Sequence, residues 1–206
     1  DIIGRERVEK VVVAKVDEQR SPIPGSEMTF ECDTILLSVG LIPENELTKK
    51  ADIVLDRRTN GAVVYENMET SLPGVFASGN VVHVHDLVDF VTAESQRAGR
   101  AAAKYVLEGG CPATEVLEVQ NGEGVTYTVP QKIRLENVEK TADLFFRVNR
   151  ILEDSEILVT SQEGEVLCRF KREHMAPGEM EHVLLPKVLL EKAKGTIQVS
   201  VRAKEE

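Results

Sequence analysis

Gly79 and Asn80 are the residues whose types and position best suit ligand binding. They follow a short apolar run at residues 75–77, which we expect to form a buried strand. Glycine lets a ligand or another backbone segment approach closely, and asparagine offers both a carbonyl and an amide. In open α/β sheets, ligands bind at the carboxyl ends of the strands. The pair therefore predicts one side of a ligand site, or else a tight strand-to-helix turn without a ligand.

The segment after this pair predicts a helix over residues 89–107, rich in small side chains and ended by the glycines at 109–110. Val91, Thr92 and Ala93 lie at its expected start. Free backbone N–H groups at a helix start carry partial positive charge and stabilise an anionic group by about 0.3–1 kcal/mol. We therefore expect these three residues to contribute to the same site.

His83, His85 and Asp86 form a second group of residues whose side chains could bind a metal ion. Residues two apart in an extended chain share a face, as metal ligands must. Two imidazoles and one carboxylate are nevertheless too few ligands, and no further cluster lies nearby in the sequence. We predict no metal here, and expect the histidines to face solvent or to lie beside the bound ligand.

Composition narrows the class of protein. The chain has 206 residues, of which 42% are hydrophobic and 29% charged, with a formal net charge of −10. This acidity argues against nucleic acid or an anionic membrane surface as the main partner. No apolar run approaches the length of a membrane span, and residues 1–10 lack the apolar core of a signal peptide. Three separated cysteines, Cys32, Cys111 and Cys168, suit a reducing cytoplasm and supply no dithiol pair.

The pattern of the chain changes near residue 111, where we place a domain boundary. Residues 8–16 and 28–37 are strand-like runs, and residues 34–37 should form a buried strand. Beyond the boundary the hydrophobic pattern has period two, with turns at regular spacing and one helix over residues 187–193. The predicted fold is thus a partial α/β domain at residues 1–110, followed by a small all-β antiparallel sandwich at residues 111–206. The sandwich contains no motif that indicates chemistry.

Two motifs carry a family resemblance. Residues 70–80 (TSLPGVFASGN), followed by a helix, resemble the second FAD-binding motif of the pyridine nucleotide-disulfide oxidoreductase superfamily. Residues 32–47 (CDTILLSVGLIPENEL) resemble a second signature of that superfamily, and the two occur in the expected order. Residues 79–89 (GNVVHVHDLVD) are similar to the NAD(FAD)-dependent dehydrogenases that accompany anaerobic glycerol-3-phosphate dehydrogenase.

The resemblance implies that residues 1–110 comprise the end of an NAD(P)-binding domain and the carboxyl-terminal part of an FAD-binding domain. It implies FAD and NAD(P) as cofactors, with hydride passing between them and electrons passing to an acceptor or a partner dehydrogenase subunit. Gly79 and Asn80 would then contact FAD together with Val91, Thr92 and Ala93. Asn80 would replace an aspartate that hydrogen-bonds the ribityl chain.

The chain lacks a G-x-G-x-x-G fingerprint for a pyrophosphate. Because it also starts at Asp1 within a predicted β-ribbon, we expect a fragment that binds FAD weakly or not at all by itself. Apolar residues left uncovered in such a fragment should cause self-association, with Val75, Phe76, Ile35 and Leu37 as candidates. The alternative is a non-catalytic binding or dimerisation module.

Overall fold

The computed structural model describes residues 1–38, 40–110 and 115–203. It contains two compact units, residues 1–40 and 41–206. The domain boundary predicted near residue 111 lies outside the described residues and stays a prediction. As a whole the fold is mixed and dominated by strands, in agreement with the predicted partial α/β domain followed by an antiparallel β domain.

The first unit is a three-stranded antiparallel sheet. Its strands, in spatial order, are β1 (Ile2–Ile3), β2 (Lys10–Val13) and β3 (Met28–Glu31). The strand-like runs predicted at residues 8–16 and 28–37 contain β2 and β3, each shorter than its run, whereas β1 was not predicted.

The strand predicted at residues 34–37 is not formed. Leu36 and Leu37 instead expose 93% and 74% of their surface. A strand is stable only when neighbouring strands satisfy its backbone groups, and no described segment pairs with these residues. Apolar composition alone was therefore misleading here.

Residues 41–110 begin the second unit with α1 (Glu46–Lys50) and a 3-10 turn at Gly79–Val81, followed by α2 (Val88–Glu108). The strand predicted at residues 75–77 is also wrong. Phe76 forms only an isolated bridge with Glu69, and Val75 is 36% exposed. Among the described residues, the segment pairs only with residues 68–70, because the Thr70 N–H donates to the Val75 carbonyl at 2.8 Å and the Ala77 N–H donates to the Met68 carbonyl at 3.0 Å, which is too short a ladder for a strand.

The helix α2 matches its predicted extent to within one residue at each end. Alanines and other good helix formers dominate its sequence. It ends at Gly109, whose φ of +83° favours glycine and whose N–H donates to the Tyr105 carbonyl at 2.9 Å.

Residues 115–203 form eight strands in two sheets. The strands are β4 (Val116–Asn121), β5 (Val125–Val129), β6 (Lys132–Arg134), β7 (Thr141–Val148), β8 (Leu152–Ser161), β9 (Val166–Met175), β10 (Glu181–Pro186) and β11 (Thr196–Ala203). The larger sheet has the spatial order β6-β4-β11-β8-β9, and the smaller has the order β10-β7-β5. Among these strands only β4 and β11 pair in parallel, which the antiparallel prediction did not include. The helix predicted over residues 187–193 is present as the shorter α3 (Lys187–Leu190).

Two hydrophobic cores stabilise the second unit. The larger lies within residues 117–201 and includes the buried Phe146 and Ile197. The smaller joins α2 and the preceding loops to β5, because Val64 and Ala98 pack in one cluster with Val129. Residues from both sides of the predicted boundary therefore share a core.

Candidate functional site

Gly79 is buried in the 3-10 turn that precedes α2. Its φ of +73° lies in the region that favours glycine, and a Cβ added there would come within 3.2 Å of Val91 Cγ1. Its backbone N–H donates to Glu94 Oε2 at 2.5 Å. Glycine is therefore required by the turn itself and by its contact with the beginning of α2.

Asn80 is exposed beside this turn. Its Oδ1 accepts a hydrogen bond from the backbone N–H of His85 at 3.1 Å. Its Nδ2 has no hydrogen-bond partner among the residues that the structure describes, so it can donate to an external group.

The helix α2 begins at Val88, and its N-cap residue, Leu87, provides no side-chain cap. The free amides therefore belong to the first turn, residues 88–90. Val91, Thr92 and Ala93, which we predicted as the helix start, lie about one turn further in. Thr92 Oγ1 donates to the Val88 carbonyl at 2.9 Å, as expected inside a helix.

His83 and His85 meet Glu94 of α2 in a buried cluster. His83 Nε2 lies 3.0 Å from Glu94 Oε1, and His85 Nε2 lies 3.1 Å from Glu94 Oε2. The side chain of His83 is 1% exposed, and those of His85 and Glu94 are fully buried. Of the two predicted alternatives, the one in which these histidines face solvent is wrong, because Phe145 and Tyr127 pack against them. A position beside a bound ligand stays a prediction.

The protonation states follow from this environment. Burial lowers the pKa of His83, and the nearby Glu94 only partly opposes the shift, so the imidazole is neutral at pH 7. Burial by itself raises the pKa of Glu94, but hydrogen bonds from the two histidines and from the Gly79 amide outweigh it and lower the pKa to about 2. Glu94 is thus an ionised carboxylate held by N–H donors.

Asp86 does not join this cluster. Its carboxylate pairs with Arg147 of β7 and accepts the Met180 backbone N–H at 2.6 Å. The sequence pattern grouped Asp86 with the histidines because it is adjacent to them, whereas the folded chain replaces it with Glu94. A lone glutamate on a predicted helix gave no signal that could have identified it.

The end of the first family motif, residues 41–47, meets the second motif in space. Asn45, from the first motif, donates through Nδ2 to the carbonyls of Asn60 and Val81, each at 2.9 Å. Val81 directly follows Asn80 in the second motif. A cavity of about 260 Å³ borders this junction, and its lining includes Pro43 and His83. Residues 41–47 and the second motif therefore form one local structure.

Comparison with known proteins shows the family of this chain. A profile of the family described as pyridine nucleotide-disulphide oxidoreductase matches residues 2–104, which is half of the chain. An NADH oxidase from Methanocaldococcus jannaschii is 29% identical over 114 residues, covering 51% of this chain and 22% of the relative. A thioredoxin reductase from Listeria monocytogenes is 37% identical over 90 residues, covering 43% of this chain and 27% of the relative.

A mitochondrial dihydrolipoyl dehydrogenase from Caenorhabditis elegans is 39% identical over 59 residues, covering 28% of this chain and 12% of the relative. The chain thus spans between 12% and 27% of the length of these three relatives.

The chain belongs to the pyridine nucleotide-disulphide oxidoreductase family. The cofactors of this family are FAD and a nicotinamide nucleotide, which confirms the cofactor class that the resemblance implied. Within the described ranges, no helix is long and apolar enough to cross a membrane.

Proposed function

We propose that this chain serves as the carboxyl-terminal portion of an FAD-dependent oxidoreductase, in which hydride passes between NAD(P)H and flavin. Electrons then pass to an acceptor or a partner dehydrogenase subunit. The observation that carries this proposal is the Gly79–Asn80 turn, which lies against the uncapped start of α2.

The residues present suit one end of FAD. Gly79 is buried and shapes the turn, which leaves Asn80 exposed, and Asn80 Nδ2 is available to donate a hydrogen bond to a ribityl hydroxyl. The free amides of residues 88–90 favour an anionic oxygen at the helix start. Val91 supports this arrangement through its contact with Gly79, while Thr92 and Ala93 continue the helix behind it.

When bound, FAD supplies the capacity to accept and donate hydride. The protein residues orient the group and place partial positive charge near it. Because hydride transfer requires no protein nucleophile, the buried Cys168 and the partly exposed Cys32 have no required role. The narrower resemblance to dehydrogenases that accompany anaerobic glycerol-3-phosphate dehydrogenase stays a prediction.

Backbone NMR of the isotope-labelled chain with millimolar FAD tests the proposal, because chemical shifts detect even weak binding. We expect shifts concentrated at Gly79, Asn80 and residues 88–90. Asn80→Ala should reduce them, and the control Asn149→Ala, at an exposed turn of the sandwich, should not.

Shifts that are absent, or scattered over the sandwich, would contradict the FAD site. That result would favour the alternative, a non-catalytic binding or dimerisation module.

A further inference from the structure

We infer that His83, His85 and Glu94 form a binding site for a divalent transition-metal ion of the Zn²⁺ class. One donor atom from each residue lies within 4.8 Å of the others. The inference rests on these side chains alone and is independent of the proposed FAD site.

The spacing of the donor atoms is close to that of a metal site. In a tetrahedral site with bonds of about 2.1 Å, ligand atoms lie about 3.4 Å apart. His83 Nε2 lies 3.0 Å from Glu94 Oε1, a few tenths of an ångström below this value, and the three donor atoms all lie within 4.8 Å of one another. Small side-chain rotations therefore suffice to admit an ion.

The charge of the cluster also favours a cation. The Glu94 side chain is fully buried, and its hydrogen-bond partners in the described part of the chain are two imidazoles and the Gly79 amide. None of these is a lysine or an arginine. Hydrogen bonds stabilise the charge of this carboxylate but do not neutralise it, and a divalent ion supplies the opposite charge.

The ligand set fits this class of metal. Imidazole nitrogen suits Zn²⁺, Cu²⁺, Fe²⁺ and Ni²⁺. Two histidines and one glutamate leave a fourth position for water, as in open zinc sites, so this inference departs from the sequence-based prediction of no metal, which judged the same number of ligands too few. The Gly79 N–H binds Glu94 Oε2, which orients the carboxylate and leaves Oε1 for the metal.

Titration of the untagged 206-residue chain with Co²⁺, an optical probe of four-coordinate sites, tests the inference, with Zn²⁺ equilibrium dialysis alongside it. We expect one ion per chain. His85→Gln and Glu94→Gln should weaken binding at least tenfold. His174→Gln is the matched control, because His174 also pairs with a carboxylate, Glu153 at 2.9 Å, but in an exposed position on β9.

A readout on the wild-type chain keeps the test decisive if the variants fail to fold. Zn²⁺ should shift the NMR resonances of the His83 and His85 rings and leave those of His174 and His182 unchanged. Equal binding by all folded variants, or ring shifts at His174 instead, would overturn the inference. Failure to bind either ion would overturn it as well, and would leave the proposed FAD site unaffected.

Discussion

At the scale of single residues, Arg134 contributes an ion-pair network that connects β6 to the turn at residues 66–69. Its Nη1 lies 2.6 Å from Glu69 Oε2, and its Nε lies 3.3 Å from Glu66 Oε1. All three side chains are only 5–6% exposed. The guanidinium also lies 4.1 Å above the ring of Tyr65.

Arg134→Ala should lower the free energy of unfolding by about 3–5 kcal/mol, because it leaves two buried carboxylates without their cation. Chemical denaturation measures this loss. Arg150→Ala is the control, since its ion pair with Glu123 is exposed and should contribute about 0–1 kcal/mol. Equal losses of unfolding free energy for both variants would show that the buried network stabilises the protein no more than the exposed ion pair does.

Asp143 connects α2 to the smaller sheet of the sandwich. It lies 2.6 Å from Arg97 Nη2 and 2.7 Å from His182 Nε2. Burial raises the pKa of Asp143, but hydrogen bonds from His182 and the charge of Arg97 outweigh it, so the pKa lies below the usual 3.8.

A carboxylate whose pKa is lowered by folding stabilises the protein above its unfolded pKa, and loses this effect as the pH falls through its folded pKa. The melting temperature of the wild type should therefore exceed that of Asp143→Asn at about pH 6, and the difference should shrink below about pH 4. Thermal unfolding at several pH values measures it. A difference in melting temperature that does not change over this pH range would contradict the lowered pKa of Asp143.

At the scale of elements, α2 is packed on one side only. Gly99 lies in its middle on the exposed side, and a Cβ added there would meet nothing within 4 Å. Gly79, at the turn before the helix, has the opposite environment, with positive φ and Val91 close by.

Gly99→Ala should therefore raise stability by about 0.5–1 kcal/mol, because alanine restricts the unfolded chain and favours the helix. Gly79→Ala should lower stability, since it requires a strained backbone and displaces Val91. The melting temperatures of the two variants should move in opposite directions from the wild type. A lower melting temperature for Gly99→Ala would mean that another surface covers this side of α2.

At the scale of the whole molecule, several apolar residues remain exposed. Of the four predicted to cause self-association, Leu37 and Val75 are exposed, whereas Ile35 and Phe76 are partly buried. Leu36 is more exposed than any of them, at 93%. We keep self-association as a prediction and assign the main contribution to residues 36–37.

Light scattering of the wild type should show an apparent mass that rises with concentration. The double variant Leu36→Lys/Leu37→Lys should reduce this rise, because charge replaces the apolar surface. Val188→Lys, at a 67% exposed position on α3, is the control and should leave it unchanged. A wild type that stays monomeric at high concentration would contradict the prediction.

The sequence by itself determined those features that depend on neighbours along the chain. The extent of α2 follows from helix propensity and from Gly109, and β7 and β11 follow from their period-two hydrophobicity. The two family motifs were equally readable, because each is a continuous run of residues.

Only the tertiary structure decided which segments and side chains meet. Residues 34–37 and 75–77 have strand-like sequences but form no strand, since strand pairing depends on distant partners. The sequence grouped His83 and His85 with Asp86, whereas the fold brings them to Glu94 and directs Asp86 to Arg147. The physical reason is that burial and hydrogen bonding act through space, and local sequence patterns record only what is near along the chain.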